Sequence, residues 1–182
     1  VVLWIFIIMI VLIPNFCRAS VINYIAPDIL LSYQDTGPKI DGFSYYRYVL
    51  LIVCAVILLA VFIIKLLSGY KIKPSPFHIP FMILFAAVLL SGVFAEYKTL
   101  SLVGHFEQHE GTLAYLIYLM VFFIAANTKF NMSAIKKIYF AFYPVLIINA
   151  VLGLLYFYDY NVLNSGAFAS LVFSDQIEIG KG

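Results

Sequence analysis

Residues 46–67 read YRYVLLIVCAVILLAVFIIKLL, and no charged side chain interrupts them between Arg47 and Lys65. An α-helix rises about 1.5 Å per residue, so about 20 apolar residues are needed to cross a hydrocarbon core about 30 Å thick. This stretch is long enough to span a membrane. Its ends fit that interpretation, because Tyr, Lys and Arg side chains are typical of membrane–water interfaces.

The composition of the whole chain points the same way. Of 182 residues, 64% are hydrophobic, 18% are aromatic and 11% are charged, whereas a soluble domain carries about 25% charged residues. So few charges cannot cover a water-exposed surface, which indicates that lipid surrounds much of the protein. The net charge of only +2 gives no case for a nucleic-acid partner.

Four further apolar runs lie on either side of this stretch, and polar, turn-forming segments separate them. We therefore predict an all-α, polytopic transmembrane protein with about five spans in a single membrane domain over residues 1–182. The first run is too short to cross a bilayer by itself, and the chain starts with Val1 and ends at Gly182 without a natural stop. We expect an N-terminal fragment of a longer chain. The predicted spans are residues 1–13, 46–67, 77–95, 112–127 and 138–158.

The charged residues are divided unequally between the segments that flank the spans. The turns after the second and fourth spans carry lysine and no acid, and positive residues favour the cytoplasmic side. We therefore expect the start of the chain in the cytoplasm and the polar loops 14–45, 96–111 and 159–182, which hold all nine acids, outside. The lysines are Lys65, Lys71, Lys73, Lys129, Lys136 and Lys137.

The spans themselves contain few groups that could do chemistry. Asn149 is the only strongly polar residue in the middle of a span. Ion-coupled transporters usually place charged groups at membrane depth, so this pattern argues against such a transporter and places any chemistry in the outer loops.

One outer segment resembles a known family. Residues 101–113 read SLVGHFEQHEGTL and lead into a Leu- and Tyr-rich helix, which is similar to the O-antigen ligase and polymerase family of bacterial membrane proteins. Gly104 and the pair Glu110-Gly111 match the family pattern between the third and fourth spans. The family's Arg is not matched, because Gln108 and His109 occupy its place. The resemblance covers residues 77–158, and the ends of the chain agree with it by topology.

The resemblance implies a multi-pass protein of the bacterial inner (cytoplasmic) membrane that acts without a cofactor. Such proteins transfer a glycan from a polyprenyl-diphosphate carrier to a hydroxyl of an acceptor glycolipid or polymer during cell-surface polysaccharide assembly. The family's catalytic Arg and His residues lie in a later outer loop, so we expect them beyond Gly182. The alternatives are a transporter or flippase subunit and a non-catalytic membrane scaffold.

Four outer residues are candidates for substrate binding: Arg47, Lys98, His109 and Glu110. Each also has a structural explanation. Arg47 and Lys98 can anchor to phospholipid phosphate, and Glu110 can interact with the positive end of the fourth span.

His105 and His109 are four residues apart, but Phe106 stands where a zinc-protease motif needs Glu. We therefore expect no metal. A disulfide between Cys17 and Cys54 is not expected either, since Cys54 lies within an apolar run.

Overall fold

The computed structural model describes residues 1–16, 18–24, 37–41, 44–72, 74–104, 108–158 and 160. Over these residues the chain forms six α-helices and one two-stranded β-ribbon. The helices are α1 (Val2–Asn15), α2 (Ser44–Leu67), α3 (His78–Phe94), α4 (Lys98–Val103), α5 (Thr112–Asn127) and α6 (Met132–Phe157). The strands are β1 (Ser20–Tyr24) and β2 (Gly37–Asp41).

Each predicted apolar run corresponds to a helix, and the differences lie at the ends. The last helix begins at Met132, well before the predicted 138. The amide oxygen of Asn131 accepts a hydrogen bond from the backbone N–H of Ala134 at 2.8 Å and caps the helix there, as Asn does at N-caps. The basic residues Lys136 and Lys137 are therefore helical, although the sequence had placed them in a turn.

The first helix also extends past its predicted end at Ile13. It contains Pro14 in its last turn and stops at Asn15. Proline cannot donate a backbone hydrogen bond, but the Asn15 side chain donates one to the carbonyl of Val11 at 2.8 Å. The helix end is thus stabilised by a side chain.

Two of the helices, α2 and α6, are long and apolar enough to cross a membrane, with 24 and 26 residues. The other helices that match predicted spans are apolar but shorter: α1 has 14 residues, α3 has 17 and α5 has 16. Two helices of spanning length are thus found, and the expectation of about five spans stays a prediction.

The surfaces of the long helices favour lipid over water. Only 28% of the most apolar window of α2 and 11% of that of α6 are buried inside the protein. A core helix of a soluble protein would be mostly buried. Large side chains on α6, such as Phe140 and Leu146, are 71% and 61% exposed. Exposed apolar area this extensive marks a membrane or protein contact surface.

The five helices that match the predicted spans form a row in the order α6, α1, α2, α5, α3, and the short helix α4 lies against α3 and α5. The buried core lies where α1, α2 and α5 meet, around Leu58 of α2 and Ile124 of α5, which are 0% and 1% exposed. Gly92 of α3 packs so closely on α5 that a Cβ at this position would lie 2.9 Å from the Thr112 side chain.

Asn149, the polar residue that the sequence places in the middle of the last span, contacts the first helix. Its amide donates to the side-chain oxygen of Asn15 at 3.2 Å and to the carbonyl of Val145 at 2.8 Å. Asn149 thus links α6 to α1, and this contact gives a structural reason for a polar residue in an apolar helix.

A short β-ribbon lies between α1 and α2 in an otherwise helical fold, within the predicted polar loop 14–45. Strands β1 and β2 pair antiparallel, with Ser20 opposite Asp41 and Tyr24 opposite Gly37. The turn-forming residues of this segment predict a polar loop without strands. Five-residue strands with a proline in one of them give only a weak alternating pattern, so the pairing could not be seen in the sequence.

The helix row has two chemically different ends. One, the lysine end, carries Lys65, Lys71, Lys129, Lys136 and Lys137. Contacts across this end join separate elements: the Tyr70 hydroxyl donates to the Asn127 carbonyl, and Lys137 lies 5.9 Å from the Trp4 ring centroid. At the opposite end lie Asp41, Glu96 and Glu110, together with Arg47 and Lys98. Over the described residues the lysine end thus carries no acid, as predicted; Lys73 lies outside them.

Candidate functional site

Two glycines bring the backbone at residues 104 and 111 into contact. Gly104 follows α4 with φ of +88°, and a Cβ there would lie 2.5 Å from the backbone nitrogens of Glu110 and Gly111. A Cβ on Gly111 would collide with the carbonyl of Leu102. Residues 104 and 111 therefore need glycine because the two backbone segments touch. This contact brings Gln108, His109 and Glu110 to the start of α5.

His109 connects this segment to the start of α2. Its Nε2 lies 2.9 Å from Oδ2 of Asp41, and the two residues are 8% and 2% exposed. The Asp41 carboxylate also accepts hydrogen bonds from the backbone N–H groups of Ser44 at 2.7 Å and Tyr45 at 3.1 Å. A carboxylate is stabilised at this position by the unpaired N–H groups and the positive end of the helix. One buried side chain thus caps α2 and binds His109.

Two tyrosines of α2 enclose the His109 ring. The Tyr48 ring stacks on it with centroids 5.8 Å apart and planes 13° apart, and the Tyr45 ring meets it edge-on at 5.9 Å. Stacked and edge-on aromatic pairs stabilise a structure beyond the effect of the apolar area that they bury. His109 also has a positive φ of 52°, which non-glycine residues seldom adopt. The ring is therefore held in one place by Asp41 and the two tyrosines.

A cavity of about 300 Å³, here called the α2 cavity, opens beside His109. Polar groups from α2 and from residues 108–110 share its wall with apolar side chains. Its lining consists of Ile13, Ser44, Arg47, Tyr48, Leu51, Gln108, His109, Glu110 and Tyr118.

A second cavity of about 500 Å³, here called the loop cavity, lies on the other side of residues 108–110, between α3, α4 and α5. Gln108 and Glu110 line both cavities. The lining of the loop cavity consists of Leu84, Val88, Ser91, Leu100, Ser101, Gly104, Gln108, Glu110, Gly111, Thr112 and Tyr115.

Three of the four predicted site residues come together. Arg47, His109 and Glu110 all line the α2 cavity. The Nε of Arg47 donates to the carbonyl of Phe16 at 2.9 Å, which ties it to the end of α1. Lys98 lines neither cavity; its Nζ donates to the Val93 carbonyl in the last turn of α3.

Glu110 lies next to the start of α5. It is exposed and directly precedes Gly111, the N-cap of that helix. A position at the positive end of a helix still suits a carboxylate. Because its side chain lines both cavities, Glu110 is also placed where a ligand would meet it.

Asp41 is a site residue that the sequence did not single out. It is separated from His109 by 68 positions, and no spacing rule connects residues so far apart. The available signal was its place just before a long apolar helix, where the positive end of the helix stabilises a carboxylate. That signal predicts a helix start and says nothing of a histidine partner.

The described residues contain no group of three or more His, Cys, Asp or Glu side chains that could hold a metal ion. His105 and Glu107, which figured in the zinc comparison, lie outside those residues, as does Cys17. Cys54 is buried in α2 as a free thiol.

Comparison with known proteins finds no family model, no curated protein and no solved structure that matches this chain. The fold and the site define a helical chain with two helices long and apolar enough to cross a membrane, and with two adjoining cavities opposite the lysine end of the helix row.

Proposed function

We propose that this chain is part of a membrane glycan ligase or polymerase, which transfers a polyprenyl-diphosphate-linked oligosaccharide to a hydroxyl of an acceptor glycolipid or polymer. The observation that carries the proposal is the meeting of Arg47, His109 and Glu110 in one cavity, at the end of the helix row away from the lysines. The segment that resembles the O-antigen ligase and polymerase family forms one wall of this cavity.

The chemistry of the transfer requires a cation near the leaving group. Diphosphate departs with negative charge, and a preorganised cation stabilises charge that develops in the transition state. Arg47 lines the α2 cavity and is held at the end of α1 by its bond to Phe16. Since the guanidinium of Arg binds phosphate oxygens in a bidentate manner, Arg47 is, among the described residues that line the α2 cavity, the one suited to the diphosphate.

The location of the cavities supports the same proposal. Lysines concentrate at one end of the helix row, and the positive-inside rule places that end in the cytoplasm. The two cavities then open on the outer side of a bacterial inner membrane, where a flipped lipid-linked glycan would be found. In this arrangement all five apolar helices cross or enter the bilayer.

The test compares Arg47→Ala with Lys98→Ala in the full-length protein, expressed in a strain that lacks its own copy. Each substitution removes one cation. Arg47 lines the α2 cavity, whereas Lys98 lines neither cavity, so Lys98→Ala controls for the loss of a positive charge outside the site. We expect Arg47→Ala to lower glycan transfer at least about tenfold, or about 1.4 kcal/mol of transition-state stabilisation, at an unchanged amount of protein in the membrane.

Lys98→Ala should keep nearly full activity. Equal activity of both variants at equal expression would refute a role for Arg47 in binding the diphosphate. A full-length protein that moves lipid-linked glycan across vesicles without forming a new glycosidic bond would refute the ligase proposal itself.

A further inference from the structure

We propose that the loop cavity binds a sugar of the glycan, while the diphosphate lies in the α2 cavity beside Arg47. This inference rests on the proposed function for the identity of the ligand as a glycan. Its own basis is the different chemistry of the two linings.

The polar groups of the loop cavity suit hydroxyls. They comprise four hydroxyl side chains, one amide and one carboxylate, from Ser91, Ser101, Thr112, Tyr115, Gln108 and Glu110. Hydroxyl and amide groups both donate and accept hydrogen bonds, as sugar hydroxyls do. The Glu110 carboxylate can only accept, and bonds from hydroxyls to an ionised carboxylate are short and strong.

The same lining does not suit a phosphate. Glu110 lines both cavities, but Arg47 offsets its negative charge only in the α2 cavity; among the described residues, no Lys, Arg or His lines the loop cavity. Like charges that face each other across an interface disfavour binding. Arg47 lines only the α2 cavity, so the diphosphate and the sugar have separate places.

Two of the polar groups are available to a ligand. Gln108 and Glu110 are exposed, and within the part of the chain that the structure describes no protein group hydrogen-bonds to their side chains. Ser101 and Thr112, by contrast, lie 3.5 Å apart through their hydroxyl oxygens. A sugar hydroxyl can therefore replace water at Gln108 and Glu110 without breaking a contact within the protein.

Size and shape agree with this assignment. A volume of about 500 Å³ lies within the range of roughly 300–1,000 Å³ typical of small-molecule sites. Leu84, Val88 and Leu100 form an apolar wall, against which the C–H face of a sugar ring can pack. Because Gln108 and Glu110 line both cavities, a ligand that reaches past these two residues can place its sugar and its diphosphate in neighbouring cavities.

The inference is tested by saturation-transfer NMR on the full-length protein in lipid nanodiscs, which avoids sugar-based detergents. The probes are N-acetylglucosamine, galactose, rhamnose and inorganic pyrophosphate, each alone and in competition. We expect at least one sugar to bind and pyrophosphate not to displace it. Glu110→Ala should weaken that sugar's binding about tenfold, the size of one hydrogen bond to a charged group.

Lys98→Ala is the matched control and should leave sugar binding unchanged, since Lys98 lines neither cavity. Absence of binding by every sugar, displacement of the sugar by pyrophosphate, or equal binding by Glu110→Ala would each overturn the inference. The transfer assay described above separates this from the proposed function. If the protein transfers glycan but its sugar binding does not depend on Glu110, only the inference is refuted. If it binds the sugar but transfers no glycan, only the ligase proposal is refuted.

Discussion

The buried carboxylate of Asp41 joins the start of α2 to His109, 68 positions later in the chain, with 2.9 Å between Oδ2 and Nε2. Asp41 also accepts the backbone N–H groups of Ser44 and Tyr45. The position of the α2 cavity therefore depends on one side chain that serves a helix and a loop together.

Replacement of Asp41 by alanine should destabilise the protein substantially. It removes the carboxylate that accepts two N–H groups at the start of α2 and pairs with the buried His109 ring. Loss of a helix cap costs about 0.5–2 kcal/mol, and loss of a hydrogen bond to a charged group costs about 1.5–3 kcal/mol. We expect a loss of about 3 kcal/mol in the free energy of unfolding, measured in mild detergent by denaturant titration.

Glu96→Ala is the control, because Glu96 is an exposed acid at the same end of the helix row, and it should cost less than about 0.5 kcal/mol. Asp41→Asn should fall between the two, since an amide oxygen can still cap α2. Equal stability of Asp41→Ala and Glu96→Ala would show that the Asp41–His109 pair does not hold the loop.

The two glycines that close the loop should not tolerate alanine. Gly104→Ala places a Cβ against the backbone of Glu110 and Gly111, at a positive φ. Overpacking of this kind typically costs about 1–3 kcal/mol, and we expect Gly104→Ala and Gly111→Ala each to fall in that range by thermal unfolding.

Gly153→Ala serves as the comparison, because a Cβ at Gly153 in α6 meets nothing within 4 Å. Alanine is a better helix former than glycine by about 1 kcal/mol, so this variant should be neutral or slightly more stable. Destabilisation by Gly153→Ala as large as that by Gly104→Ala would contradict the backbone contact between residues 104 and 111.

The contact between Asn15 and Asn149 can be measured by a double-mutant cycle. Hydrogen bonds between helices in a membrane contribute about 0.6 kcal/mol on average, and we expect a coupling energy of that size between Asn15→Ala and Asn149→Ala. The cycle requires the unfolding free energies of both single variants and the double variant. Strictly additive effects would mean that α1 and α6 meet without this bond.

Much of the helical framework could be predicted from the sequence, since uninterrupted apolar runs carry a strong signal. The fourth predicted span, 112–127, has the bounds of α5. The helix ends were less predictable because they depend on single side chains. Asn131 starts α6 well before the apolar run does, and the Asn15 side chain bonds within the last turn of α1.

Of the four candidate residues, Arg47, His109 and Glu110 line one cavity, and their role in substrate binding stays a prediction. The signal for the candidates was a polar or charged side chain outside the middle of the apolar runs. Lys98 had the same signal but bonds to the end of α3. Asp41 and the β-ribbon were missed, since long-range pairing and short strands leave little periodic pattern in one sequence.

We propose that the two cavities face the outer side of the bacterial inner membrane, and cysteine labelling of intact cells tests this orientation most directly. Gln108 lines both cavities, whereas Ser133 lies in the first turn of α6 beside the lysines; both residues are exposed. In a protein with Cys17 replaced by serine, a membrane-impermeant maleimide should label Gln108→Cys on intact cells. It should label Ser133→Cys only after the cells are permeabilised. Labelling of Ser133→Cys on intact cells, with Gln108→Cys protected, would place the cavities in the cytoplasm and contradict the account.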